Sequence, residues 1–216
     1  MHTFWQGIFG TKLPTVEYCE QATYSIIARP GYFISNFVYI LLGFYFLSQP
    51  GKLAKSFGLI SIVVGIFSAI YDASFLFYAQ ILDLSAMAIL VLFLLGLNFN
   101  KLNLLNHKKI ISLLSILLIT YMAVILLLEG QSGRIMFGIF VLGVIMTDYL
   151  CLKTNPQKDK KYFLLALFLF LLGFLIWMVD ATQTICSPIE YLNGRSIYHY
   201  LTALSIFYLY KYNSKT

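Results

Sequence analysis

Arg195 and His199 stand four residues apart in the run Gly194-Arg195-Ser196-Ile197-Tyr198-His199, where the last apolar segment of the chain begins. On a helix they share one face, a turn from each other. Ser68 and Asp72 have the same spacing in an earlier segment, and Asp83 and Asp180 border two more. A serine, a histidine and a carboxylate can together attack an acyl carbon, although no Gly-x-Ser-x-Gly turn presents Ser68. His199 with Asp72 and Asp83 could instead hold a metal. Taken singly, each is equally a polar cap at the end of a membrane span, with Ser68 bonded to a helix carbonyl and His199 packed in a polar crevice. As a set with two four-residue spacings, they point to one shared cavity.

Composition fixes the setting of that chemistry. The 216 residues are 60% hydrophobic and 17% aromatic, and the mean hydropathy is +0.81. Only 11% are charged, against roughly 25% in a soluble domain. This is the composition of an integral membrane protein. The formal charge of +6 sits in loops between apolar runs, which argues for membrane orientation and against nucleic acid as a partner.

Apolar length divides the chain into seven expected spans. Residues 1–31 read as an ordered extramembrane arm without the pattern of a signal peptide, and residues 32–213 as an all-α seven-helix transmembrane domain. The first span runs from Tyr32 to Gln49 and stops at Pro50-Gly51-Lys52. Phe57 to Asn98 is about twice a bilayer thickness and must fold back. Asp72, Gln80 and Asp83 are expected to mark that reversal, because a charge at mid-bilayer costs about 2.5–3.5 kcal/mol. Spans at 57–76 and 81–98 follow. A basic loop precedes a fourth span, Ile110 to Leu128, and a turn at 129–134 leads to a fifth, Ile135 to Leu152. A second basic loop leads to Phe163–Val179, a polar loop with Pro188 follows, and Arg195 to Tyr212 is the seventh.

Lysine and arginine are distributed unevenly about these spans. Eleven fall in the odd-numbered loops and the C-terminus, and only Lys12, Arg29, Arg134 and Arg195 on the other side. The bias places the N-terminus outside and the C-terminus in the cytoplasm. The expected location is a multi-pass protein of the plasma or bacterial inner membrane, or of ER or Golgi in a eukaryote. Ser68, Asp72, Asp83, Asp180, Arg195 and His199 then all gather at the outer side.

Several short runs, in order along nearly the whole chain, resemble the alkaline ceramidases. They are Tyr18-Cys19-Glu20, Ile27-Ala28-Arg29-Pro30, Ser35-Asn36, Ser68 with Asp72 and Asp83, Gly173-Phe174-Leu175-Ile176-Trp177 with Asp180 and Cys186, and Gly194 to Thr202. That family comprises seven-span zinc amidases related to the progestin and adiponectin receptors. The resemblance implies a zinc ion held by one histidine on the second span and two on the seventh, with a water that attacks an amide carbonyl. It assigns Ser68 and Asp83 to assisting roles and His199 to the last ligand. Asp72 and Arg195 stand where the other two ligands are expected.

Those two substitutions have a physical reading. Zinc takes three deprotonated protein ligands in a catalytic site, and arginine offers only donors. A guanidinium about 6 Å from a dication would repel it by roughly 5 kcal/mol at an effective dielectric of ~20. An acid and a base have replaced two ligands, so a buried Asp72–Arg195 salt bridge is expected to join spans two and seven, with no metal cofactor unless the altered site still binds zinc. The calcium site that the resemblance places in the arm is expected to be lost as well, since Arg29 and Ala22 stand at two of its positions.

The same resemblance implies a disulfide between Cys19 and Cys186, both on the outer side, while Cys151 at the cytoplasmic end of the fifth span stays reduced. Two unpaired outer thiols remain the alternative. Tyr71, Trp177, Asp180 and Tyr198 are expected to line a pocket whose guest is a membrane lipid, ceramide or another amphipathic amide. The sequence leaves open whether this is a hydrolase with an altered site built on Ser68, Asp83 and His199, or a non-catalytic lipid-binding descendant. A receptor or transporter shares the span count, but the paired broken segments of a transporter are not seen.

Overall fold

In the computed structural model, residues 3–9, 12–128, 132–154, 160–186 and 192–214 are described. All regular structure among them is helical: α1 (Phe4–Phe9), α2 (Pro30–Ser35), α3 (Phe37–Ser48), α4 (Lys52–Ser74), α5 (Phe77–Lys101), α6 (His107–Leu128), α7 (Ser132–Thr154), α8 (Lys160–Ala181) and α9 (Gly194–Ser214). Parts of the expected turn at 129–134 and of the second basic loop, and Pro188, lie outside the described residues.

Among the described residues, six stretches are long and apolar enough to cross a membrane: Pro30–Ser48, which joins α2 and α3, and α4 through α8. The last helix, α9, is not among them, although its 21 residues would extend about 31 Å. It carries Arg195, His199 and a series of tyrosines, and it packs against α8, α3, α2 and α4. A helix shielded by its neighbours need not offer an apolar surface to lipid.

The chain falls into two compact units, residues 1–83 with 159–216, and residues 84–158. In the first, α3 and α4 lie against each other along a seam of small residues. A Cβ on Gly43 would come within 2.5 Å of the Ile62 side chain and 2.8 Å of the Gly58 carbonyl, so only glycine permits this approach. In the second unit, Asn98 Nδ2 on α5 donates to Thr147 Oγ1 on α7 at 3.1 Å, and the Tyr121 and Phe140 rings meet at 5.7 Å. Cys151, outside the disulfide, is buried.

The end of α4 positions everything that follows. Phe75 closes the helix in the left-handed conformation (φ 51°), with its N–H on the Tyr71 carbonyl, and α5 begins at Phe77. A helix end leaves its last carbonyls without partners, and here the N-terminal arm supplies them. Arg29 N donates to the Asp72 carbonyl (3.1 Å), Ala28 N to Ala73 (2.8 Å), Thr3 Oγ1 to Ser74 (3.1 Å) and Gln6 Nε2 to Phe75 (3.1 Å). The reversal is therefore tighter than the sequence suggests. Asp72, Gln80 and Asp83 do not lie in it but inside α4 and α5, at 4% exposure or less. The cost of burying their polar groups is offset by specific partners.

Candidate functional site

The carboxylate of Asp72 is fully enclosed and meets three donors. Its Oδ1 lies 2.7 Å from Arg29 Nη2 and 3.5 Å from Arg195 Nε, and its Oδ2 accepts from Asn36 Nδ2 at 2.8 Å. One turn earlier on α4, Ser68 donates its hydroxyl to Asp83 Oδ1, and Asp83 Oδ2 lies 3.4 Å from Arg195 Nη2. Arg195 thus stands between two carboxylates. Two guanidiniums and two carboxylates make a charge-balanced cluster in which no side chain is more than 5% exposed. The pairing offsets part of the cost of burying these charges, while Arg29 Nε and Nη1 and Arg195 Nε make no hydrogen bond.

Aromatic faces wall the cluster. Arg29 Cζ lies 4.4 Å from the Phe75 ring centre and 4.8 Å from that of Tyr71, while Arg195 Cζ lies 4.6 Å from Tyr18 and 5.2 Å from Tyr71. Away from water a cation over a ring gains about 2 kcal/mol, so these faces replace part of the lost hydration.

A second network joins the arm to α2 and α8. Glu20 accepts from Gly31 N at 2.7 Å and Tyr32 N at 2.8 Å, placing an anion at the start of α2, where the helix dipole favours it. Burial pushes the Glu20 carboxyl up from the usual range, and the two backbone donors pull the other way. Tyr32 donates its hydroxyl to Asp180 Oδ2 at 2.7 Å and accepts from Glu20 N at 3.0 Å. Beside it the Cys19–Cys186 disulfide closes, with Cα atoms 5.3 Å apart, and Gln183 Nε2 donates to the Tyr18 carbonyl at 3.0 Å.

His199 belongs to a third set. Ser35 Oγ donates to the Tyr32 carbonyl at 2.7 Å and lies 2.7 Å from His199 Nδ1. With its proton committed to that carbonyl, the hydroxyl can only accept from the ring, which assigns the proton to Nδ1. Ser68 and His199 therefore face different partners, Asp83 and Ser35. The Tyr39 hydroxyl bonds Thr202 Oγ1 beside this ring.

The residues singled out from sequence fall as follows. Ser68, Asp72, Asp83 and Arg195 form the charge cluster, with Tyr71 against both guanidiniums. Asp180 is held by Tyr32, and the Trp177 ring sits 6.5 Å from Tyr18 and 6.4 Å from Tyr198. Arg29 is the residue whose place differs most from expectation. It stands at a calcium position by resemblance, yet its guanidinium makes the shortest ion pair to Asp72. Its signal in the sequence was its position directly before Pro30, which starts the first spanning helix at the same end as Asp72. Asn36, Ser35 and Tyr32 were likewise not assigned contacts.

The donors present do not make up a zinc site. Both oxygens of Asp72 are engaged by cations and an amide, and Arg195 occupies the space between the carboxylates. Among the described residues no group of three or more His, Cys, Asp or Glu lies together as a metal-ligating set.

No curated protein matches the chain. A family model described as Ceramidase matches residues 10–214, all but the ends of the sequence. The chain belongs to the ceramidase family.

Proposed function

We propose that this protein is a seven-span member of the ceramidase family in which an Arg29–Asp72–Arg195–Asp83 cluster stands in place of the zinc centre, and that it binds a ceramide-type or other amphipathic lipid with little or no amide hydrolysis. The observation that carries this reading is the position of Arg195 between Asp72 and Asp83, 3.5 and 3.4 Å from them. Hydrolysis in the family depends on an activated water, and a fixed cation where the metal would sit leaves nothing to activate it. The same charges keep the mechanical role, since Asp72 on α4 and Arg195 on α9 hold those helices together much as a shared ion would.

In this reading α9 is the seventh span, the N-terminus is outside and the C-terminus cytoplasmic, in accord with the lysine and arginine bias. The guest lies beside Tyr71, Trp177, Asp180 and Tyr198, whose rings and carboxylate suit a lipid with an apolar tail and a polar amide or hydroxyl. The reconstituted protein supplied with a fluorescent ceramide tests it. Saturable binding without release of fatty acid is expected, and steady release that is abolished by Ser68→Ala or Asp83→Asn would overturn the non-catalytic reading in favour of a hydrolase with an altered site.

A further inference from the structure

We propose that the N-terminal arm is a membrane-surface anchor: its short helix α1 and the loop beside it present an aromatic and aliphatic ridge that lies in the lipid interface at the end of the spans where Asp72 is buried. This goes beyond the reading of the polar centre and does not depend on whether that centre hydrolyses anything.

The arm has one polar side and one apolar side, and the structure fixes which faces inward. Thr3 and Gln6, each 1% exposed, are tied to the end of α4 through the Ser74 and Phe75 carbonyls and to each other through the Thr3 N–H and Gln6 Oε1. Trp5 Nε1 donates to the Ile26 carbonyl at 2.7 Å, which fastens α1 to the 24–26 loop. With the polar groups turned in, the apolar ones are left outside. Ile8 is 57% exposed, Phe9 66%, Tyr24 69% and Ile26 64%. Their rings form one group, with Phe4 against Trp5 at 5.3 Å, Trp5 stacked on Phe9 at 6.0 Å and Phe4 beside Tyr24 at 6.5 Å.

Two observations identify lipid, rather than a soluble partner, as the occupant. First, the ridge is attached to the last carbonyls of α4, a helix apolar enough to span, so it sits at the level where hydrocarbon gives way to headgroups. Tryptophan and tyrosine are enriched at that depth, and Tyr78 on α5 and Ile70 on α4 are exposed apolar residues as well. Second, neither Thr3–Phe9 nor Gln21–Ala28 contains a charged residue, whereas Lys12 follows close by, with its Nζ 3.9 Å from the Phe77 ring centre. An uncharged aromatic ridge with a basic residue at its edge suits an interface of apolar chains and anionic headgroups.

The test uses the full chain reconstituted in phosphatidylcholine vesicles whose acyl chains are brominated either near the headgroup or near the methyl ends. Trp177→Phe leaves Trp5 as the only tryptophan, and Phe9→Trp in a background of Trp5→Phe and Trp177→Phe gives a second probe on the ridge. Emission roughly twofold lower in the shallow-brominated vesicles, with less quenching by the deep-brominated lipid, is expected for both. Phe168→Trp in the tryptophan-less background, on the exposed side of α8, reports separately that the protein is in the bilayer. If that control is quenched while neither ridge probe is, or if the ridge probes are quenched more by the deep lipid, the anchor proposal fails and the membrane reading stands.

Discussion

Replacing Asp72 by Asn tests the charge cluster at its centre. The substitution keeps the size of the side chain but removes the charge that Arg29 meets at 2.7 Å and Arg195 at 3.5 Å. It also puts an amide where Oδ2 accepts from Asn36, so that one of the two new amide orientations sets donor against donor. Arg195 retains Asp83 at 3.4 Å, and the main loss falls on Arg29. Breaking a buried pair by removing one partner costs about 3–5 kcal/mol, because the remaining charge stays desolvated. In a chain of this size each kcal/mol shifts the midpoint by about 2–4 °C, so Asp72→Asn should lower thermal stability in detergent by roughly 10 °C. Arg29→Gln alone should cost less, since Asp72 keeps Arg195. The double variant Arg29→Gln with Asp72→Asn should be more stable than the sum of the singles implies, by at least ~1 kcal/mol. A loss below about 2 °C for Asp72→Asn, or strict additivity in the double, would show that the pair is not the clasp described here. Exchanging the charges of Asp72 and Arg195 is less informative, because an arginine at position 72 would face Arg29.

Other expectations concern separate parts of the molecule. Ser35→Ala removes the acceptor for His199 Nδ1 and should cost about 1–2 kcal/mol, read as a lower melting midpoint, with Ser35→Thr retaining more of the stability. Gly43→Ala forces a Cβ against Ile62 and the Gly58 carbonyl and should destabilise by about 1–3 kcal/mol, visible as aggregation on size exclusion after mild heating. Peptide mapping without reductant should recover Cys19 linked to Cys186 and Cys151 alkylated only after unfolding, and Cys19→Ser with Cys186→Ser should lose about 2–4 kcal/mol. Asp72→His with Arg195→His and Arg29→Gln should take up about one zinc per chain, whereas either histidine alone beside the remaining guanidiniums should take up little.

The approximate limits of the six apolar spans were legible because apolar length is a strong signal: the expected fourth span, Ile110 to Leu128, lies within α6, His107–Leu128. Asp72 and Arg195 approach to 3.5 Å, but Arg29 is the nearer partner of Asp72 and Asp83 lies as close to Arg195, so the expected pair is one contact of a larger cluster. Arg29 was not legible, because it approaches Asp72 only through the backbone pairing of Ala28 and Arg29 with the last turn of α4, a contact without residue-type preference. The reversal was misplaced for a related reason. A rule that sends charges to the interface weighs each one alone, and here Asp72, Asp83 and Arg195 offset one another's burial. The partner of His199 was hidden because serines at helical positions are common and most bond only their own helix, as Ser35 also does through the Tyr32 carbonyl.

Zinc content of the purified protein tests the central claim most directly. After expression in zinc-supplemented medium and dialysis against a weak chelator, elemental analysis should find far less than one zinc per chain, with the melting midpoint unchanged by a strong chelator. One tightly held zinc per chain, whose removal lowers the midpoint, would contradict the account, because it would require Arg195 to leave the space between Asp72 and Asp83.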